Sequence, residues 1–317
     1  MNTAGPPASV SVVIGSYNAA AWIGETLDSV LRQTHPVLEV LVIDDGSTDA
    51  TGKVVMSYGD YVKWLPERHR GLPHRNRGIR EAEGDFVAFV DADDFWQPQK
   101  IERQMALLMS TKRSWAICEA AWMDSVTGES VDSPNAPVCD GDILDRLFLG
   151  NFIVASTPLV AKHVFADVGY FNEEPALLGA EDWDLWLRIA ARYPVACVRE
   201  KLATLRLHPE SLLASTPMAE KLRNLEDIIG RTALREPRLR HLRTQALANT
   251  YFAAGVQAMR RERVREARGY FGAALRHRPL RAEAIAYMLL TLLGASSARA
   301  VIDLKRRMTK KKLECGP

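Results

Sequence analysis

Short apolar segments alternate with amphipathic stretches through the first hundred residues. Residues 9–14, 39–43 and 85–90 are rich in Val, Ile, Leu and Phe, as is typical of strands buried on both faces. Between them, apolar positions recur at helical spacing in residues 23–31 and 75–82. Alternating strands and helices predict a mostly parallel α/β sheet with right-handed crossovers, whose ligands bind outside the carboxyl ends of the strands.

The rest of the chain has other patterns. Residues 101–109 and 182–192 predict helices, and residues 115–123 predict a strand. Beyond residue 216 the pattern is almost entirely helical, with small and aromatic residues arranged as in one tetratricopeptide-type hairpin. Three successive helices are predicted there, at residues 246–260, 264–277 and 282–293. The expected parts of the chain are residues 1–100, 101–215 and 216–317.

Charge is distributed unevenly between these parts. The net charge is +2, but residues 221–317 carry 22 basic and 8 acidic side chains, which leaves residues 1–220 with a net charge of −12. An acidic front half argues against a nucleic-acid partner and suits a divalent cation, whereas the basic rear suggests an anionic surface or partner. The densest basic run is Lys305–Lys312.

Other bulk features favour a cytoplasmic protein. The four cysteines are scattered, without a metal-site or disulfide pattern, which suits a reducing compartment. No apolar stretch reaches the ~18 residues of a membrane-spanning helix, and residues 1–10 lack the features of a secretory signal.

Polar clusters follow each of the three apolar strands and are expected to meet at one edge of the sheet. They are Ser16-Tyr17-Asn18, Asp44-Asp45-Gly46-Ser47 and Asp91-Ala92-Asp93-Asp94. Asp91 and Asp93 offer hard oxygen ligands suited to Mg²⁺ or Mn²⁺. The alternative is that Asp93 or Asp94 caps a helix that starts near Pro98.

The other two clusters allow two interpretations each. The Asp44 carboxylate can accept hydrogen bonds from a base N–H or a ribose hydroxyl, and Asp44 to Ser47 can form a turn before a helix that starts near Thr48 or Asp49. We expect both: Asp44 faces the ligand, and Ser47 or Asp49 serves the turn and the cap. Tyr17 can stack on a pyrimidine ring or pack in the core.

These motifs together resemble the donor-binding half of the family-two inverting glycosyltransferases. The segments that carry the resemblance are SVVIGSYNAAAWIGETLDSVLRQTHP, EVLVIDDGSTDAT and RNRGIREAEGDFVAFVDADDFWQP. Gly15 departs from the family, which usually has Pro or Thr before the hydroxyl residue. The resemblance implies a GT-A fold, in which residues 1–100 form the part of a Rossmann-like sheet that binds a nucleotide-sugar. Residues 101–215 would form the acceptor-binding and catalytic part, and residues 216–317 would follow as a helical extension.

The resemblance also implies roles for individual residues. Asp44 is expected to bind the base, Arg75 to lie near the diphosphate or base, and Asp91 and Asp93 to hold ribose and a Mn²⁺ or Mg²⁺ cofactor. The expected nucleotide-binding set also contains Ser16, Tyr17, Asn18 and Ala92.

A Glu-Asp pair opens the helix predicted at residues 182–192. By likeness to the family, Asp182 is the catalytic base and Glu181 its acidic partner. A helix N-terminus stabilises a carboxylate, and paired acids raise one pKa; the alternative is a pair that only serves the helix dipole. Trp183 is expected to pack, with stacking on an acceptor sugar as the alternative. His208 is either a further metal ligand or structural.

These inferences predict transfer of a sugar from a nucleotide-sugar donor, first of all a UDP-sugar, to a saccharide or lipid-linked acceptor in cell-surface glycan synthesis. A nucleotidyltransferase is disfavoured because Gly15 to Ala19 is not a glycine-rich phosphate loop. A non-catalytic scaffold that binds nucleotide-sugar and acts through its helical C-terminus remains the alternative. The basic C-terminus predicts peripheral contact with the anionic inner face of a membrane.

Overall fold

In the computed structural model, nine strands of the described residues form one sheet. They are β1 (Val10–Ser16), β2 (Glu39–Asp44), β3 (Lys63–Pro66), β4 (Phe86–Asp91), β5 (Phe95–Trp96), β6 (Trp115–Asp124), β7 (Ser130–Val131), β8 (Leu159–Ala161) and β9 (Ala196–Leu207). Their order is β3-β2-β1-β4-β8-β6-β9-β5, with β7 paired to β6. The structure describes residues 8–69, 75–131, 137–174, 177, 179–209, 211 and 216–292.

β1, β2 and β4 are parallel, as the sequence predicts, and β3, which the sequence pattern did not predict, joins them in the same direction. β1 pairs in parallel with both β2 and β4, and β2 with β3. Beyond β4 the sheet is mixed, because β8 runs antiparallel to both β4 and β6. The clusters after β1, β2 and β4 therefore lie at the same edge of the sheet.

Seven helices accompany the sheet in the described residues. They are α1 (Ile23–Leu31), α2 (Thr51–Met56), α3 (Arg75–Glu81), α4 (Lys100–Thr111), α5 (Leu144–Phe148), α6 (Lys162–Val168) and α7 (Glu181–Ala190). The helix predictions for α1, α3, α4 and α7 are confirmed to within a few residues. α2 begins at Thr51, later than predicted, although the Asp49 carboxylate does accept the Thr51 N–H.

Close packing fixes α3 against the sheet. Val12, Val13 and Ile14 of β1 are fully buried. A Cβ on Gly78 of α3 would lie 2.5 Å from Cγ1 of Val13, so only glycine permits this approach. The first residue of α3, Arg75, is consequently held over the edge where β4 ends.

The chain divides into two units, Met1–Leu147 with Asn151–Thr216, and Phe148–Gly150 with Pro217–Pro317. The second contains α8 (Met218–Arg235), α9 (Arg243–Arg260), α10 (Val264–His277) and α11 (Ala282–Leu290). The helices predicted from residue 246 onward are confirmed, and the tetratricopeptide likeness stays a prediction. The basic run Lys305–Lys312 lies outside the described residues. Over the described ranges, none of the helices has the length and hydropathy needed to span a bilayer.

Candidate active site

The turn after β1 presents one aromatic ring to solvent. Tyr17 is 46% exposed and stacks on His69, with ring centroids 4.3 Å apart, which excludes the core interpretation. Asn18 has a positive φ of 47°, and its side-chain oxygen accepts the Thr48 N–H at 2.8 Å. Ser16 is buried, and its hydroxyl has no hydrogen-bond partner among the described residues.

Protein partners occupy both carboxylate oxygens of Asp44. Ser47 donates to Oδ1 from its backbone and its hydroxyl, and the Trp64 indole donates to Oδ2 at 3.2 Å. The turn interpretation is thus confirmed, and contact between Asp44 and a base stays a prediction. The neighbouring Asp45 is buried and pairs with His69 Nδ1 at 2.8 Å. The sequence analysis missed Trp64 and His69 as residues of this site, because neither belongs to a recognisable motif.

Three carboxylates converge after β4. Oxygen atoms of Asp91, Asp93 and Asp94 lie within 4.8 Å of one another. Burial, followed by repulsion from Asp91, raises the pKa of Asp93, and burial and both neighbours raise the pKa of Asp94 well above its usual range. A divalent cation would relieve this repulsion, and an all-oxygen donor set suits Mg²⁺ or Mn²⁺.

Asp94 serves the site in a different way from the predicted helix cap. Its carboxylate accepts the Ser156 hydroxyl at 2.5 Å and the Arg206 N–H at 3.2 Å, whereas Gln99 precedes α4. The Ser156 hydroxyl in turn accepts the Asp91 N–H. The capping alternative is therefore wrong: Asp94 fixes the turn that carries the other two carboxylates, and Ala92 is buried within that turn.

His208 reaches this turn from the end of β9. Its Nε2 lies 2.8 Å from Oδ2 of Asp93, and its side chain is 8% exposed. The other ring nitrogen is buried and has no hydrogen-bond partner among the described residues. His208 thus contacts the predicted metal ligand Asp93, and its own role as a ligand stays a prediction.

Arg75 connects this acidic turn to α7. One guanidinium nitrogen pairs with Asp91, and another lies 3.6 Å from Oε1 of Glu181. Burial lowers the pKa of Arg75, but the charges of Asp91 and Glu181 outweigh it and raise the pKa overall. Arg75 therefore places the two acidic clusters predicted from sequence, 90 residues apart, in one electrostatic network.

The first turn of α7 holds the predicted catalytic pair. Glu181 is buried and accepts the Gly179 N–H at 2.6 Å. Asp182 accepts its neighbour Trp183's backbone N–H at 2.6 Å and the Asn151 amide at 3.3 Å. Burial and then the charge of Glu181 raise the pKa of Asp182 to about 7, against the opposing effects of the Trp183 N–H and Arg75. Such a carboxylate can exchange a proton near neutral pH.

Trp183 belongs to the interior of the fold. It is 2% exposed, and its indole donates to the Leu147 carbonyl at 2.9 Å. A buried ring has no face free for a sugar, so the expectation that Trp183 packs holds and the alternative of an acceptor contact at Trp183 is wrong. Trp186 is likewise buried and stacks on Trp115.

Comparison with known proteins agrees with this geometry. Residues 11–152 match the family model described as glycosyl transferase family 2. An uncharacterized glycosyltransferase of Rickettsia typhi is 30% identical over 205 residues, which cover 63% of this chain and 64% of that protein. A Rickettsia felis glycosyltransferase is equally similar, but the match covers only 34% of its length. The chain thus spans from about a third to under two thirds of these relatives.

Other similarities are shorter or purely structural. TuaG of Bacillus subtilis, named for teichuronic acid biosynthesis, is 39% identical over 105 residues, or 32% of this chain and 42% of that protein. The crystal structure of S. aureus TarS 1-349 in complex with UDP-GlcNAc has a TM-score of 0.62 at 18% identity and covers 94% of this chain and 92% of that one. The mannosyltransferase PcManGT from Pyrobaculum calidifontis, in complex with GDP-Man and Mn²⁺, has a TM-score of 0.57 at 19% identity, with 93% and 87% coverage.

These likenesses confirm the predicted GT-A fold with its helical C-terminal region. They also agree with the motifs after β1, β2 and β4, all of which fall inside the matched segment. Residues 11–152 thus match glycosyl transferase family 2, and the relatives that share this segment are glycosyltransferases.

Proposed function

We propose that this chain transfers a sugar from a nucleotide-sugar donor to an acceptor hydroxyl, with inversion at the anomeric carbon. One observation carries the proposal: Arg75 contacts Asp91 and Glu181, so a cation-binding acidic turn and a carboxylate with a pKa of about 7 share one network. The match of residues 11–152 to glycosyl transferase family 2 supports it. We propose a UDP-sugar as donor, with GDP- and dTDP-sugars as alternatives, because the two similar solved structures are complexes with UDP-GlcNAc and GDP-Man.

On the donor side, Asp93 and Asp91 would hold Mg²⁺ or Mn²⁺, with His208 against Asp93. Bound there, the cation would supply positive charge to the leaving nucleoside diphosphate, so that no general acid is required. Tyr17 offers an exposed ring for the base. Ser16 has a buried hydroxyl free to bond to ligand. Arg75 would orient the diphosphate or base beside Asp91.

On the acceptor side, Asp182 acts as the base. The acceptor oxygen forms a bond to the anomeric carbon while the bond from that carbon to the diphosphate oxygen breaks. The acceptor's proton passes to Asp182, and the bonding electron pair leaves with the nucleoside diphosphate. Glu181 raises the proton affinity of Asp182, so that the base matches neutral pH.

The surroundings of the enzyme follow from its charge. Residues 221–317 carry a net charge of +14, and we propose that this region holds the protein at the anionic cytoplasmic face of a membrane, near a lipid-linked or saccharide acceptor. The name of TuaG supports a role in cell-surface polysaccharide synthesis.

The test is release of nucleoside diphosphate from a panel of UDP-GlcNAc, UDP-glucose, GDP-mannose and dTDP-glucose, each with Mn²⁺ or with EDTA. We expect release from one donor class that depends on Mn²⁺. Tight donor binding without release, with every donor and a mixture of candidate acceptors, would instead indicate the non-catalytic scaffold.

A further inference from the structure

A small cavity lies between β6, β9 and the segments around residues 137 and 152. Its volume is about 150 Å³, the size of an engineered protein cavity that holds one benzene ring. The walls combine apolar and polar side chains from Trp122, Val138, Phe152, Val154, Glu119 and Lys201. The cavity is partly open to solvent, so it can receive one part of a six-membered ring and leave that ring's other hydroxyl groups outside.

An irregularity in the strand pairing shapes this cavity. Successive side chains of a regular strand point to opposite faces, so Cys118, Glu119 and Ala120 would not all line one space. The register between β6 and β9 shifts on both sides of Glu119, and all three residues line the cavity. Bulges of this kind re-aim side chains and are common beside active sites.

Two opposite charges at the cavity are uncommitted. Glu119 lies opposite Lys201 in the register, yet within the described ranges neither side chain forms a salt bridge. Both side chains line the cavity and can therefore hydrogen-bond to a ligand's hydroxyl groups. A carboxylate and an ammonium group together match a polyhydroxylated ring, which both donates and accepts.

The cavity is connected through short segments to both halves of the active site. Phe152 follows Asn151, whose amide bonds to Asp182. Thr157 follows Ser156, whose hydroxyl bonds to Asp94. The cavity and the active site therefore share two short segments of the chain, residues 151–152 and 156–157.

We propose that this cavity is a subsite for one pyranose ring of a saccharide acceptor, with Glu119 and Lys201 bonding to its hydroxyls. The assignment rests on the proposed glycosyl transfer and selects a saccharide over an acceptor recognised only through lipid. Phe152 and Trp122 supply the apolar walls against which a sugar ring packs.

The test is saturation-transfer NMR with the methyl glycosides of glucose, galactose, mannose and N-acetylglucosamine, in the presence of UDP and Mn²⁺. At least one glycoside should receive saturation at its ring protons. Filling the cavity with Ala120→Leu should abolish the signal, and Glu119→Gln and Lys201→Met should each weaken binding about tenfold, as expected for a lost charged hydrogen bond. Glu129→Gln, an exposed carboxylate of the same region, is the matched control and should leave binding unchanged.

UDP binding, measured on each variant, shows whether the protein is folded. A glycoside that binds Ala120→Leu as well as the wild type overturns the subsite, as does binding equally weakened by Glu129→Gln. Absence of signal from all four glycosides in a protein that turns over a nucleotide-sugar also overturns it and leaves the proposed function standing. Failure of every donor to bind or react overturns the proposed function itself.

Discussion

Replacing Asp182 with Asn should stabilise the protein at neutral and alkaline pH. In the folded state the pKa of Asp182 is about 7, against the usual 3.8 that applies to the unfolded chain. An acid whose pKa is raised by folding is favourable to the fold only while it is protonated. Its contribution is fully present below pH 3.8 and is lost as the pH rises to about 7 and beyond.

The size of this effect follows from the two pKa values. Each pKa unit corresponds to about 1.4 kcal/mol, so ionisation of Asp182 costs the fold roughly 4 kcal/mol at pH 8. At pH 5 the same relation gives a cost of about 1.7 kcal/mol, because Asp182 is still protonated in the folded state. Asn cannot ionise, so the stability advantage of Asp182→Asn should grow by roughly 2–3 kcal/mol between pH 5 and pH 8.

Urea unfolding followed by tryptophan fluorescence measures this difference. All seven tryptophans lie between residues 22 and 186, so the signal reports the sheet-containing unit alone. EDTA keeps the measurement free of metal. Asp140→Asn is a control with the opposite sign, because the Arg113 hydrogen bond lowers the pKa of Asp140. This substitution should destabilise the protein by an amount that stays constant from pH 5 to pH 8. A pH-independent difference for Asp182→Asn, or one that shrinks with rising pH, would refute the reasoning.

Three further predictions test other parts of the account. Wild-type kcat should rise with pH around a midpoint near 7, since Asp182 must be ionised to accept a proton. Glu181→Gln should move that midpoint to lower pH. An unchanged midpoint would show that Glu181 does not raise the pKa of Asp182. In a thermal melt, Gly255→Ala should destabilise the helical unit by about 1–3 kcal/mol, because its Cβ would lie 2.4 Å from Phe271. Gly269→Ala, whose Cβ would meet open space on the neighbouring helix, should stabilise the same unit slightly. Equal effects of the two substitutions would contradict this packing. Binding to anionic vesicles should fall at high salt and on truncation before Lys305, and equal recovery with neutral vesicles would exclude a membrane role.

Strands β1, β2 and β4 were predictable because they are buried on both faces, whereas the partly exposed β3 was not predicted. Val12, Val13 and Ile14 of β1 produce an apolar run that needs no further information. β9 was missed because three exposed charged residues, Arg199, Glu200 and Lys201, interrupt its apolar pattern where the register with β6 shifts. A search for alternating apolar residues does not identify β9, because the strand is irregular at the register shift beside the cavity.

The residues of the candidate site could be predicted from the sequence, but most of the contacts between them could not. The carboxylates after β4 and at the start of α7 stand out in the sequence, but the Arg75 link between them depends on how closely α3 approaches β1. A helix cap stayed open as an alternative for Asp94 because its actual partner, Ser156, lies 62 residues away in the chain. The burial of Trp183 in the structure shows that its ring packs in the core. Its position in the sequence fits a packed ring and a ring that stacks on a sugar equally well.

The most direct test compares Asp93→Asn with Asp182→Asn for donor binding and for transfer. With Mn²⁺ and the donor that the wild type uses, titration calorimetry should show donor binding retained by Asp182→Asn and strongly weakened in Asp93→Asn. Nucleotide release should fall on the order of 10²–10⁴-fold in Asp182→Asn, as for other general bases. Near-normal release by Asp182→Asn, or unchanged donor binding by Asp93→Asn, would contradict a site with a cation-binding donor end and a separate base.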